Sequence, residues 1–155
     1  MVRWAMTDNE ILLAVEEIKR LKARYFRCLD TKDWAGLETV FLPDALIDTS
    51  EANTIRGEPP PDPEWTIAGP RPWIDKLAPV LEGVLTVHHG HMPEIEILAP
   101  GAARGIWAME DRLNWSGGVR TIQGYGHYHE TYALKDGAWR IKSMKLTRLW
   151  LIVGP

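Results

Sequence analysis

The sequence predicts an α+β fold, with helices gathered at the front of the chain and packed on one face of a curved antiparallel sheet. Three observations carry this. Apolar residues recur at helical spacing ahead of Val84, the period changes to two from Val84 onward, and short turn sequences separate the period-two segments. The 155 residues suffice for a single domain with one buried core.

Thr7-Asp8-Asn9-Glu10 has the form of a capping box, with Thr7 as N-cap and Glu10 reaching back. Behind it Ile11, Ala14, Val15, Ile18, Leu21, Tyr25, Cys28 and Leu29 recur at helical spacing, with Glu16, Glu17, Lys19, Arg20, Lys22 and Arg24 elsewhere. This predicts a long amphipathic helix ending near Asp30-Thr31. A short helix over about 33–40 follows, stopped by Pro43, and Ala45 to Thr49 suits a short strand. Residues 56–72 hold six prolines (Pro59, Pro60, Pro61, Pro63, Pro70 and Pro72), which predicts an extended loop. It is not an interdomain linker, because neither flank is long enough to fold alone. A third helix over about 70–81 tolerates proline in its first turn. Strands are expected at about 84–98, 102–115, 119–134 and 138–152, separated by Pro100-Gly101, Ser116-Gly117-Gly118 and Lys135-Asp136-Gly137. Strands joined by such turns form an antiparallel meander.

Composition narrows the function classes. A net charge of −3, evenly spread, argues against a nucleic-acid surface. No apolar run is long enough to span a bilayer, and the N-terminus lacks a leader peptide's apolar block. The lone Cys28 cannot form an internal disulfide, which fits a cytoplasmic protein, and among Tyr25, Phe26 and Leu29 it suits packing better than nucleophilic attack. Eight tryptophans can wall an apolar pocket or fill the core and oligomer contacts.

Strand parity then singles out the polar residues that face inward. Over 102–115, Trp107, Met109, Asp111, Leu113 and Trp115 share one face, so Asp111 sits in a line of large apolar side chains. Over 138–152, Met144, Leu146, Arg148, Trp150 and Ile152 share a face, and Arg148 is its charged member. A buried charge is expensive without a partner, so opposite charges on apolar rows of one sheet point to a pocket or a structural ion pair.

Three of the five histidines fall in His88-His89-Gly90-His91. Imidazole titrates nearest neutrality, and a carboxylate on one ring nitrogen fixes the tautomer that a general base needs. Parity separates His88 from His89 and His91 without saying which faces inward, and a bulge near Gly90 would shift the count. Tyr25 lies on the apolar stripe of the first helix, a candidate proton donor or oxyanion stabiliser, or else a core tyrosine with a satisfied hydroxyl. Asp30, at the helix end, opposes the helix dipole and wants compensation such as Arg148. The histidines lack companions at metal-ligand spacing, so no metal is expected.

These residues resemble a known pattern. Tyr25-Phe26-Arg27-Cys28-Leu29-Asp30, Lys32, Trp34, His88-x-Gly90-His91-x-Pro93-Glu94-Ile95, Trp107 with Glu110-Asp111, Asp136-Gly137-x-Trp139 and Arg148 are similar to the bile acid 7α-dehydratases. Those belong to the SnoaL-like branch of the nuclear-transport-factor-2-like superfamily, alongside scytalone dehydratase and the lindane dehydrochlorinase. The likeness runs from about Glu10 to Arg148. It implies a cone of curved antiparallel sheet with helices across its mouth, no cofactor, an apolar small-molecule substrate, and a homo-oligomer, trimer before dimer. It also implies the site: Tyr25, Asp30, His88, Asp111 and Arg148 as catalytic residues, which chooses His88 over His89. Trp107, Met109, Tyr125, His127 and Leu146 are expected to contact substrate. The chain departs from the resemblance in its longer proline-rich stretch and its short C-terminus after Arg148, both at the expected pocket mouth.

The mechanism so implied has His88, oriented by Asp111, taking an acidic C–H proton beside or vinylogous to a carbonyl. Tyr25 assists departure of hydroxide or stabilises the enolate, while Asp30 and Arg148 organise the far wall. Isomerisation or ring closure by the same residues, and a non-catalytic binding module, are the alternatives.

Overall fold

The computed structural model describes residues 6–155; the first residues on which the leader-peptide reading rests lie outside that range. Helix α1 spans Asp8–Asp30 and starts on the predicted capping box, with Thr7 and Glu10 each bonded to the other's backbone N–H. Its stripe of Ile18, Leu21, Lys22, Tyr25, Cys28 and Leu29 is buried, while Ile11 at its start is exposed. Helices α2 (Trp34–Glu38) and α3 (Pro70–Val80) follow, the latter opening on Pro70, whose missing N–H has no partner to lose there.

Six strands form one sheet in the order β2-β1-β6-β5-β4-β3, with β1 Phe41–Asp48, β2 Thr66–Ala68, β3 Leu85–Ala99, β4 Ala102–Trp115, β5 Arg120–Lys135 and β6 Ala138–Gly154. The four long strands form the predicted antiparallel meander, and β1 joins its far side parallel to β6. Strand β1 begins four residues before the expected Ala45 and contains Pro43. The proline fits because pairing with β6 is broken between Phe41 and Leu46, so no ladder donor is needed there. Strand β2, inside the proline-rich stretch, was not expected; it pairs with β1 through Leu46–Ala68, Ile47–Ile67 and Asp48–Thr66.

Bulges at Met92-Pro93 in β3 and at Leu149 in β6 bend the sheet into an open cone whose concave face takes α1 and α3. The β3 bulge falls after the histidines, so the alternation of 88–91 is undisturbed and His88 turns inward while His89 and His91 turn out. The core lies between the helices and that face: Ile18, Tyr25, Trp73 and Ile74 pack toward Met109, Tyr128, Met144 and Leu146. Each aliphatic side chain buried as fully as Ile18 contributes about 1.5–3 kcal/mol relative to leaving it in water. Among the described residues no helix is long and apolar enough to cross a membrane.

Candidate active site

A cavity of about 340 Å³ opens between α1, α3, the concave face of the sheet and the segment that joins β1 to β2. Its apolar walls combine three tryptophans, Trp65, Trp73 and Trp115, with aliphatic side chains such as Leu29, Leu113, Ile122 and Leu146. Its polar side chains include Tyr25, His88, Asp111, Tyr128 and Arg148, which come from α1, β3, β4, β5 and β6.

His88 is held by Asp30. The carboxylate at the end of α1 accepts the His88 backbone N–H through Oδ2 at 2.8 Å and meets ring Nδ1 through Oδ1 at 2.6 Å. Thr86 donates a further bond to Oδ1 at 2.9 Å. Burial alone would push the Asp30 carboxyl up, but the bonds and charge of His88 and the Thr86 hydroxyl more than offset it, leaving it below its ordinary value. An ionised carboxylate only accepts, so Nδ1 carries a proton, and in the neutral form of the ring the lone pair is on Nε2. Nε2 lies 3.8 Å from Asp111 Oδ2, beyond hydrogen-bond reach.

Asp111 is committed elsewhere. Arg148 grips it with both terminal nitrogens, Nη1 to Oδ1 at 2.9 Å and Nη2 to Oδ2 at 2.8 Å, a bidentate pair with both side chains buried. The third guanidinium donor, Nε, reaches the Ala52 carbonyl at 2.8 Å and so fastens the segment over the cavity to the same pair. Gly124, which faces Asp111 across β4 and β5, supplies the room: a Cβ there would strike Asp111 Oδ1 and Arg148 Nη1.

Beneath this layer lies a second polar group. Lys22 is fully buried, its ammonium 3.8 Å from the centre of the Tyr25 ring and 3.7 Å from that of Tyr128. It pairs with Glu130 at 2.5 Å; Glu130 also accepts from Tyr132, whose hydroxyl accepts from Trp107 Nε1. Burial lowers the Lys22 ammonium to about 8, with Glu130 opposing the fall. Burial, and then the neighbouring Tyr128, raise the Tyr25 phenol well above its ordinary value, so it stays protonated and able to donate. Among the described residues no group of three or more His, Cys, Asp and Glu is placed to hold a metal.

A SnoaL-like domain profile matches residues 10–145, nearly the whole chain. This chain belongs to the SnoaL-like family. A curated relative, the probable cyclase FGR4 of Gibberella zeae, is 28% identical over 138 residues, covering 86% of this chain and 89% of that protein. Two solved structures share the fold. One, provisionally named a scytalone dehydratase, from Novosphingobium aromaticivorans, has a TM-score of 0.81 at 18% identity over 94% of this chain and 91% of its own. The other, the hexachlorocyclohexane dehydrochlorinase LinA-type3 of Novosphingobium barchaimii, has 0.76 at 19% over 96% and 94%.

In this SnoaL-like domain the five residues expected to be catalytic all border one cavity or, for Asp30, bond a residue that does. Their pairing differs from the expectation. Asp30, not Asp111, orients His88, and Arg148 compensates Asp111 rather than Asp30. Of the expected contact residues only Leu146 lines the cavity. Trp107 is turned to Tyr132, and Met109 lies behind the wall with its sulfur 3.6 Å from Arg148. Tyr125 and His127 lie on the opposite face of β5, with Tyr125 stacked on Trp150. Trp150 itself is outside because the Leu149 bulge inverts the parity of β6 beyond Arg148. The sequence pattern does not single out Tyr128 or Glu130. Its assignment of Lys22 to the polar side of the first helix is corrected by the structure, where Lys22 is fully buried because Glu130 and the two phenol rings receive its ammonium. Lys22 falls on the helical stripe four residues after Ile18 and three before Tyr25, a spacing that marked it as inward-facing.

Proposed function

We propose that this protein is a cofactor-independent lyase that eliminates water from a hydroxylated, carbonyl-activated cyclic molecule of up to polycyclic or steroid size. The observation that carries the reading is the His88 ring, fixed by Asp30 at Nδ1 and left with an uncommitted Nε2 beside an apolar cavity. That is the arrangement of a general base. Tyr25, whose phenol lines the same cavity, is the acid. His88 Nε2 takes a proton from the carbon beside the carbonyl, and the electrons of that C–H bond form the new carbon–carbon double bond. The C–O bond breaks, and hydroxide leaves as water with the proton of Tyr25. The imidazolium returns its proton to the phenolate, directly or through water, which restores both groups. Base and acid each contribute on the order of 10²- to 10⁴-fold. The cavity volume of about 340 Å³ lies within the range of small-molecule sites and suits such rings.

The naming of FGR4 as a cyclase favours a second reading, ring closure by the same base and acid through the same enolate. The two differ in product mass. Incubation with a panel of hydroxylated cyclic ketones, steroids included, followed by mass spectrometry, is expected to show loss of one water; an isomeric product supports cyclisation or isomerisation. His88→Ala should abolish turnover with the fold intact, and near-normal turnover in that variant overturns the assignment. The resemblance also carries a homo-oligomer, trimer before dimer, which sedimentation equilibrium tests.

A further inference from the structure

His88 lies between two carboxylates, Asp30 and Asp111, and the two are treated differently. Asp111 has Arg148 on both oxygens. Among the described residues no Lys or Arg pairs directly with Asp30; beside the imidazole it serves it has Thr86, and Thr86 has Lys32. The Lys32 ammonium donates to Thr86 Oγ1 at 2.8 Å, and the same hydroxyl donates its own proton to Asp30 Oδ1 at 2.9 Å. A hydroxyl has one proton to give and lone pairs to receive, so the ammonium on its oxygen forces that proton toward Asp30.

The backbone is bent to make this possible. Lys32 sits at φ 59, the left-handed conformation just past the helix end, where glycine is the usual occupant. Its N–H bonds back to Leu29 O, and Asp33 N–H to Cys28 O, which closes the helix and turns the lysine back toward β3. Thr86, two residues before His88 on the same inward face of β3, is buried. A strained lysine, a buried threonine and the helix-terminal aspartate thus form one chain ending on the ring of His88.

We infer that Lys32 and Thr86 are positioning residues of the Asp30–His88 pair: they hold Asp30 ionised and fix which of its oxygens receives the imidazole N–H. The inference rests on His88 as the base, and it gives Lys32 toward Asp30 the place that Arg148 has toward Asp111. Burial lowers the Lys32 ammonium and Asp30 opposes this, which agrees with a cation drawn into the site.

The test uses the full chain and needs no substrate. In Thr86→Val, Lys32→Met and Lys32→Arg, nuclear magnetic resonance follows two signals: the low-field proton on His88 Nδ1 and the titration of the Asp30 side-chain carboxyl. In T86V and K32M the Asp30 midpoint should rise and the low-field proton should shift or broaden, while K32R should restore both. On a substrate found as above, T86V should lower kcat on the order of 10-fold at near-constant KM, less than the roughly 10² that full misplacement of a reacting group costs. Unchanged Asp30 titration and an unchanged Nδ1 proton in both T86V and K32M overturn the inference. Failure to find a dehydrated product, with the two signals moving as expected, overturns the proposed reaction and leaves the positioning role standing.

Discussion

Asp30 grips His88 twice, at the backbone N–H through one carboxylate oxygen and at ring Nδ1 through the other. A carboxylate on the end of a 23-residue helix thereby fixes both the strand position and the ring orientation of a residue 58 places further along. The backbone contact means that α1 and β3 cannot slide against one another without releasing the imidazole.

Asp30→Ala and Asp111→Ala should therefore fail in different ways. Asp30→Ala removes the group that orients the base, so turnover should fall on the order of 10² or more with modest loss of stability. Asp111→Ala leaves the buried Arg148 guanidinium unpaired, which costs about 3–5 kcal/mol, and it also loosens the segment held at Ala52. Chemical denaturation alongside turnover separates the two. If Asp30→Ala proves the less stable variant and Asp111→Ala the one that stays folded but inactive, the roles are reversed.

Much of this was legible in the residues. The capping box, the change of period at Val84 and the turn sequences placed α1 and the four long strands, because each is a local signal. Parity placed Asp111 and Arg148 inward for the same reason. What parity could not read is the inward face of β5, where Ile122, Gly124, Gly126 and Tyr128 alternate with Tyr125 and His127. Two of those inward positions are glycines, so the larger side chains lie outside and the usual hydrophobic cue is reversed. The reason is steric: a Cβ on Gly126 would collide with the Thr147 carbonyl, and one on Gly124 with the Asp111–Arg148 pair. The partnership of Asp30 with His88 was equally out of reach. It depends on where a helix end lands on a strand, which no local spacing encodes.

Gly124→Ala tests that steric reading. The added methyl would fall onto the joined ends of two side chains that are already locked together, so relief requires breaking the bidentate pair. A cost of about 1–3 kcal/mol is expected, with loss of turnover. Gly101→Ala is the control, since its Cβ would meet only Leu134 at an ordinary 3.7 Å. Equal melting temperatures for the two variants would show that Gly124 makes no such room.

Lys22 and Glu130 form a fully buried ion pair under the two phenols. Lys22→Met should destabilise by about 3–5 kcal/mol, because Glu130 is left charged without its cation. Lys22→Met with Glu130→Gln should recover most of that, since the amide still offers Tyr132 an acceptor and no charge remains. If the double variant is no more stable than the single one, the penalty comes from lost packing against Tyr25 and Tyr128, not from the stranded charge.

The acid range reports on Asp30. Its folded carboxyl lies below the ordinary 3.8, because the bonds from His88 and Thr86 outweigh the effect of burial. As pH falls through 3.8 the unfolded chain takes up this proton before the folded one does, so unfolding is favoured. The stability that Asp30 contributes is complete above that pH and disappears as pH drops through the lower, folded value. Asp48 also titrates below its ordinary value, burial being outweighed by bonds from Ser50 and the charge of Lys145, and so does Glu10 through its bonds with Thr7, so the native curve alone mixes the three. Urea unfolding of the native chain and of Asp30→Ala between about pH 5 and pH 2 isolates the aspartate. The gap in unfolding free energy between the two proteins should be constant at the upper end and narrow steadily toward the lower. A gap that holds constant to the acid end would mean that Asp30 is not the ionised partner of His88, and that the ring is held by something else.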